Sequence, residues 1–210
     1  MEADRLYTHL CWHGTAAGTD LFDMHVVASI LTVAAHDAEA SGRTLSETIG
    51  LRGPELHGLF TLMFPGAIDA LDGRAVREIA IAGEESQLRD ILFMNSAAAS
   101  PIELVLSLMI ARRSLSPNHL WQDLGFASRL ELSQLMRRHF PRLAARNHPD
   151  MKWKKFFYRM MCSSTGYSLC VAPVCSDCDD FDQCFGAEDG ESLLARIGNG
   201  KLSITREIRA

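Results

Sequence analysis

Residues 45–65 read "LSETIGLRGPELHGLFTLMFP" and residues 120–141 read "LWQDLGFASRLELSQLMRRHFP". With Arg129 taken as a one-residue insertion, Leu45 aligns with Leu120, Gly50 with Gly125, Glu55 with Glu131, Leu56 with Leu132, Leu59 with Leu135, Phe64 with Phe140 and Pro65 with Pro141. Each stretch reads as a short helical turn, a glycine stop and a second helix closed by Phe-Pro. Each also follows a longer apolar run, "LFDMHVVASILTVAAHDAEA" before the first and "PIELVLSLMIARR" before the second. Amphipathic helices share leucine spacing almost by necessity, so the spacing alone proves little. The matching glycines and Phe-Pro ends point further, to an internal duplication of helix, turn and helix.

The pattern predicts an all-α fold. Thr19 and Asp20 are suitable N-caps for an amphipathic helix that stops at Ser41-Gly42. Pro101 suits the first turn of a helix that ends by residues 114–118, and residues 67–90 read as a helix-rich linker. No long alternating β-branched run occurs. The expected organisation is a helical domain over residues 1–161 with repeat-like units at about 20–65 and 101–141, an irregular cysteine-rich metal loop over 162–186, and a tail over 187–210 with one short helix.

Composition narrows the setting. The 210 residues are 47% hydrophobic and 22% charged, which is ordinary for a folded chain with one sizeable core. The acidic start, Met1-Glu-Ala-Asp, lacks the features of a signal peptide, and the apolar window 91–111 is broken by Asn95, Ser96, Ser100, Pro101 and Glu103. The expectation is a cytoplasmic protein with no membrane span. A net charge of −5 argues against nucleic-acid binding by the whole chain. The charge is uneven, however. Nine Lys and Arg lie between residues 129 and 159, whereas Asp177, Asp179, Asp180, Asp182, Glu188, Asp189 and Glu191 follow Cys175.

Four of the six cysteines fall within "CVAPVCSDCDDFDQC", residues 170–184, spaced C-x4-C-x2-C-x5-C, and Cys162 lies just upstream. Reducing compartments disfavour a disulfide framework and favour a metal centre. A structural zinc site usually joins two C-x2-C pairs, and here only Cys175 and Cys178 form one. Short gaps that turn consecutive thiolates inward suit an iron-sulfur type centre. Spacing leaves iron-sulfur, zinc and disulfides open, in that order. The acidic residues of the segment read as a solvated face.

The run "NHPDMKWKKFFYRMMC" leads into this segment. Asn147 as cap and Pro149 in the first turn predict a helix running toward Cys162. Trp153, Phe156, Phe157, Met160 and Met161 then share one side, and Lys152, Lys155, Arg159 and Cys162 share the other. Charge runs are commonly just solvated helix faces. Beside a thiol, cations also favour thiolate formation and attract anions, so these three residues are candidates for anion or partner binding.

The segments "MKWKKFFYRMMC" and "CVAPVCSDCDDFDQCFG", with "HLWQDLGF" and "LMRRHFPRLAARN" upstream, resemble the NifQ family of nitrogen-fixation accessory proteins. Cys170, Cys175, Cys178 and Cys184 match the C-terminal cysteine motif of that family without a gap. The resemblance covers roughly residues 90–186. It implies a molybdenum-iron-sulfur cluster carrier, a donor more than a catalyst, supplying molybdenum for the nitrogenase iron-molybdenum cofactor. It further implies NifEN, NifH and molybdate as partners. Soft thiolates suit iron and sulfur-bound molybdenum, but molybdenum itself comes only from the resemblance.

Other classes are weaker. An iron-sulfur sensing transcriptional regulator could use helix-turn-helix-like units with Arg137, Arg138 and Arg142, yet "LELSQLM" offers few base-reading side chains. A ferredoxin-like carrier needs no large α core, and the chain is short for a radical-enzyme barrel. His148 is the histidine best placed to join the site, Cys11 reads as a plain thiol, and no catalytic triad or phosphate loop is evident.

Overall fold

The structure is a computed structural model that describes residues 3–14, 18–71, 78–148, 150–164, 188 and 190–198. The described residues are helical and include no strand. Helix α1 (Ala3–His9) runs into a π-helical turn (Leu10–Gly14) and is followed by α2 (Leu21–Ser41). The first unit comprises α3 (Leu45–Ile49), α4 (Gly53–Met63) and a 3-10 turn (Pro65–Leu71). After α5 (Gly83–Met94) and α6 (Pro101–Ser114), the second unit comprises α7 (Leu120–Asp123), α8 (Arg129–His139) and α9 (Pro141–Arg146). Helices α10 (Trp153–Ser164) and α11 (Leu193–Gly198) are the last two among the described residues.

Helix α2 begins where its sequence dictates: the Asp20 carboxylate accepts from the amides of Phe22 and Asp23, and Gly42 closes the helix at φ +67°. The sequence predicts an amphipathic helix here, and the structure corrects that expectation. Residues 26–35 are buried without a break, so the other helices surround α2 on nearly every side. Its length and hydropathy would suffice for a membrane span, and 61% of that apolar window is enclosed by the rest of the fold.

The two aligned segments fold alike. Gly50 and Gly125 both stop their short helices at φ +79°. Phe64 and Phe140 end α4 and α8 with nearly the same backbone, φ −133° and ψ 50° against φ −132° and ψ 54°. Both rings are fully buried, as are Leu56, Leu59, Leu132 and Leu135. The long helices are exchanged between the units at the glycines. A Cβ on Gly50 would lie 2.6 Å from Cβ of Arg112 on α6, and one on Gly125 would lie 2.7 Å from Val33 and 3.0 Å from the Ser29 carbonyl oxygen on α2.

Residues 67–90 are more than a linker. Helix α5 is a core element that packs along α6, with Leu88 and Leu92 buried. Its inner face also carries Glu85, 1% exposed, and Arg89. The Arg89 and Arg112 Nε atoms each donate to Glu85 at 3.0 Å. Both guanidinium groups continue to the first unit, Arg89 reaching the Gly50 carbonyl at 2.7 Å and Arg112 the Glu47 carbonyl at 3.0 Å. A charged inner face breaks the apolar period, which hides this helix from a pattern reading.

Candidate functional site

The approach to the cysteine segment starts at the end of α9. The Asn147 side chain accepts from the Met151 amide at 3.1 Å and donates to the Met151 carbonyl at 2.9 Å. Asn147 therefore closes a turn, with Asp150 at φ +60°, instead of capping a helix. This corrects the expected start of the next helix: α10 begins at Trp153.

Along α10 the described side chains divide between the two faces as expected. Trp153, Phe156, Phe157 and Met161 are buried and Met160 is half-buried. The Trp153 ring meets Phe156 edge-on at 5.6 Å and Phe157 at 5.7 Å, an arrangement suited to the aromatic quadrupoles. Lys155 and Arg159 are exposed and Lys152 is half-buried. Cys162 lies in the last turn of α10. Cys170, Cys175, Cys178 and Cys184 lie outside the described residues. Among the described residues no cluster of three or more His, Cys, Asp or Glu side chains has the arrangement to hold a metal ion.

Lys154, passed over in the sequence, anchors α10. Its ammonium donates to the Ser116 carbonyl and pairs with Asp123, which is 2% exposed. Burial pulls the Lys154 pKa down, against the opposing pull of Asp123. The Arg113 Nε also donates to the Asp123 carbonyl at 2.8 Å, and its NH2 group pairs with Asp37 at 2.7 Å. These links tie α10 to α6, α7 and α2. A lysine flanked by Trp153 and Lys155 reads as solvated, and only its distant partner Asp123 reveals the role.

The chain leaving the cysteine segment also returns to the core. The Glu188 side chain, 6% exposed, has one oxygen 3.5 Å from His119 Nδ1 and the other 3.6 Å from an Arg129 nitrogen. Gly190, at φ +117°, passes against the Gln122 side chain. Ser192 is buried and accepts from the Ala195 amide at 3.3 Å in the first turn of α11. Helix α11, within the expected tail, packs on α1 and α2.

The remaining candidates separate. His148, Arg137 and Arg142 are exposed, and Arg138 is tied to Asp20 at 2.9 Å and Asp23 at 3.1 Å. His139 is a satisfied core residue, its Nε2 2.9 Å from Asp23. Cys11 is half-buried; burial pushes its thiol pKa up, partly offset by a hydrogen bond with Tyr7. The Tyr7 hydroxyl lies 2.7 Å from His25 Nδ1, whose Nε2 lies 3.5 Å from Glu131.

Comparison with known proteins matches the chain to the NifQ family model over residues 26–186, a span that includes most of α2, both units, α10 and all four clustered cysteines. A NifQ homolog from Sinorhizobium fredii is 40% identical over 186 residues, covering 86% of this chain and 81% of its own. NifQ from Rhodobacter capsulatus is 35% identical over 159 residues, covering 76% and 87% respectively. NifQ from Klebsiella pneumoniae is 50% identical over 78 residues, covering 37% of this chain and 47% of its own. No solved structure matches the chain. The extent of the family match and of the two longer alignments shows that the chain belongs to the NifQ family.

Proposed function

We propose that this protein carries a molybdenum-iron-sulfur cluster as cargo and donates its molybdenum to assembly of the nitrogenase iron-molybdenum cofactor. Family membership supports a role in nitrogen fixation. The observation that carries the finer reading is the cysteine segment 170–184, which falls inside the family match together with the basic helix that leads into it.

The donor set fits such a cargo. Four thiolates, Cys170, Cys175, Cys178 and Cys184, are soft ligands suited to iron and to sulfur-bound molybdenum, and Cys162 is the candidate fifth. By the helical period of the sequence, Lys155 and Arg159 fall on the side of Cys162, and Lys152 immediately precedes the helix; positive charge there would favour thiolates and draw an oxyanion such as molybdate or an acidic partner. NifEN and NifH are the proposed recipients, the cytoplasm is the proposed compartment, and the protein acts as a donor more than a catalyst. The like geometry of the two helical units supports their origin in a duplication that built the platform for this segment.

Anaerobic purification followed by elemental analysis for Mo, Fe and Zn tests the reading. Iron and molybdenum together are the expected result, and zinc alone overturns it. Replacing Lys152, Lys155 and Arg159 by Gln should leave iron loading intact and lower the Mo:Fe ratio, with a smaller deficit at high salt.

A further inference from the structure

We propose that Arg129, with His119 and Glu188, forms a clasp that holds the two ends of the cysteine-bearing segment together, so that Arg129 is a positioning residue for that segment. Its importance for metal retention rests on the function proposed above; the clasp itself does not.

Arg129 opens α8 and faces both ends at once. One terminal nitrogen donates to the Asp150 carbonyl at 2.7 Å, the Asp150 carboxylate at 2.9 Å and the Met151 carbonyl at 3.1 Å, fixing the chain immediately before α10. The other lies 3.6 Å from Glu188, on the chain that comes back after the cysteines. A single guanidinium thus joins residue 150 to residue 188. Glu188 is nearly buried, and a buried carboxylate without a countercharge is costly, so its pairing with Arg129 and His119 gives the returning chain a specific seat.

Unsatisfied polarity collects at the same junction. Arg129 Nε and one Glu188 oxygen are both buried there without a hydrogen-bond partner. With the Arg129 side chain 21% exposed and that of Glu188 6%, charge pairing between them is stronger than at the surface.

The first unit has no counterpart. Arg129 is the residue inserted relative to residues 45–65, and the nearest cation there, Arg52, pairs locally with Glu55 at 3.4 Å. A clasp that brings the ends of a long segment together meets part of its loop-closure entropy before any ligand binds.

Hydrogen exchange on the metal-free full-length protein tests the clasp, whether or not a metal is ever bound. Arg129→Gln and Glu188→Gln should each raise exchange over residues 190–195 by about tenfold, with amides of α2 and α6 unchanged. The double variant should add little to either single one, as expected for partners in one interaction. Arg129→Lys should recover protection at 190–195 but not at 151–152, because an ammonium can pair with Glu188 but cannot reproduce the guanidinium fork. Unchanged exchange in both single variants, or effects that simply add, overturns the clasp. If Arg129→Gln fails to fold, Glu188→Gln decides alone, since it leaves the Asp150 and Met151 bonds in place.

The positioning role is read separately, after reconstitution with iron and sulfide, as the rate at which a chelator removes iron from parent and variants. Faster loss in Glu188→Gln is the expected result, and an unchanged rate overturns that role. Should the parent itself take up no iron, the carrier function falls while the exchange data still judge the clasp.

Discussion

The two helical units, residues 45–65 and 120–141, have the same backbone plan and different neighbours. Both place a glycine at φ +79° and bury equivalent leucines and phenylalanines. The first unit is held from inside, by Arg89 and Arg112 reaching its carbonyls from the buried Glu85. The second is held toward the cysteine segment: Lys154 pairs with Asp123, and Arg129 grips the chain before α10 and the chain at Glu188. Apolar residues and turn glycines determine the shape of a unit, and a few charged residues determine what it is joined to.

The contrast can be broken most severely at Glu85. Glu85→Ala leaves Arg89 and Arg112 without their buried countercharge and should cost about 3–5 kcal/mol of stability in urea unfolding. Lys154→Met should cost less, since Asp123 keeps its bond from Asn118 at 3.0 Å. Equal costs would remove the asymmetry claimed between the units.

The glycines probe what the units share. Gly50→Ala and Gly125→Ala each impose a left-handed alanine and a collision with the opposite long helix, for an expected loss of about 3 kcal/mol apiece. Thermal unfolding checks it. A harmless substitution at either position would end the equivalence of the two turns.

Acid sharpens a comparison between the long helices that precede the units. At Glu103, near the start of α6, burial pushes the pKa up, and the Ser100 and Ala98 amides, the Ser100 hydroxyl and His139 together more than reverse it. At Asp20, the α2 cap, the Asp23 amide and then Arg138 lead the downward shift. Both carboxyls thus have folded-state pKa values below their ordinary ones. Their stabilisation is present above the ordinary value, 4.5 for Glu103, and is lost as pH falls through the lower folded value. The urea midpoint should drop in that acid window, and Glu103→Gln should reduce the drop. The smallest effect belongs to Lys155→Gln on exposed α10, expected within about 0.5 kcal/mol of the parent by urea unfolding.

Local chemistry made much of the fold legible. Asp20, Gly42, Gly50 and Pro101 mark helix ends where the structure has them. Other features depend on partners remote in sequence. The α5 helix hides because Glu85 and Arg89 occupy its inner face, and α10 begins late because Asn147 bonds to Met151. At the candidate site, the two faces of α10 were readable from periodicity, whereas the roles of Lys154 and Arg129 require Asp123, Asp150 and Glu188 to be brought near. The clustered cysteines, legible as a motif, lie outside the described residues.

The enclosure of α2 sets an order of events during synthesis. Residues 26–35 leave the ribosome early, yet Gly125, which seats against Ser29 and Val33, is translated far later. Until α7 and the turn after it emerge, the nascent chain must carry an apolar helix that part of its cover has not yet reached. That interval favours chaperone binding or aggregation, and chains halted before residue 120 should accumulate in the insoluble fraction.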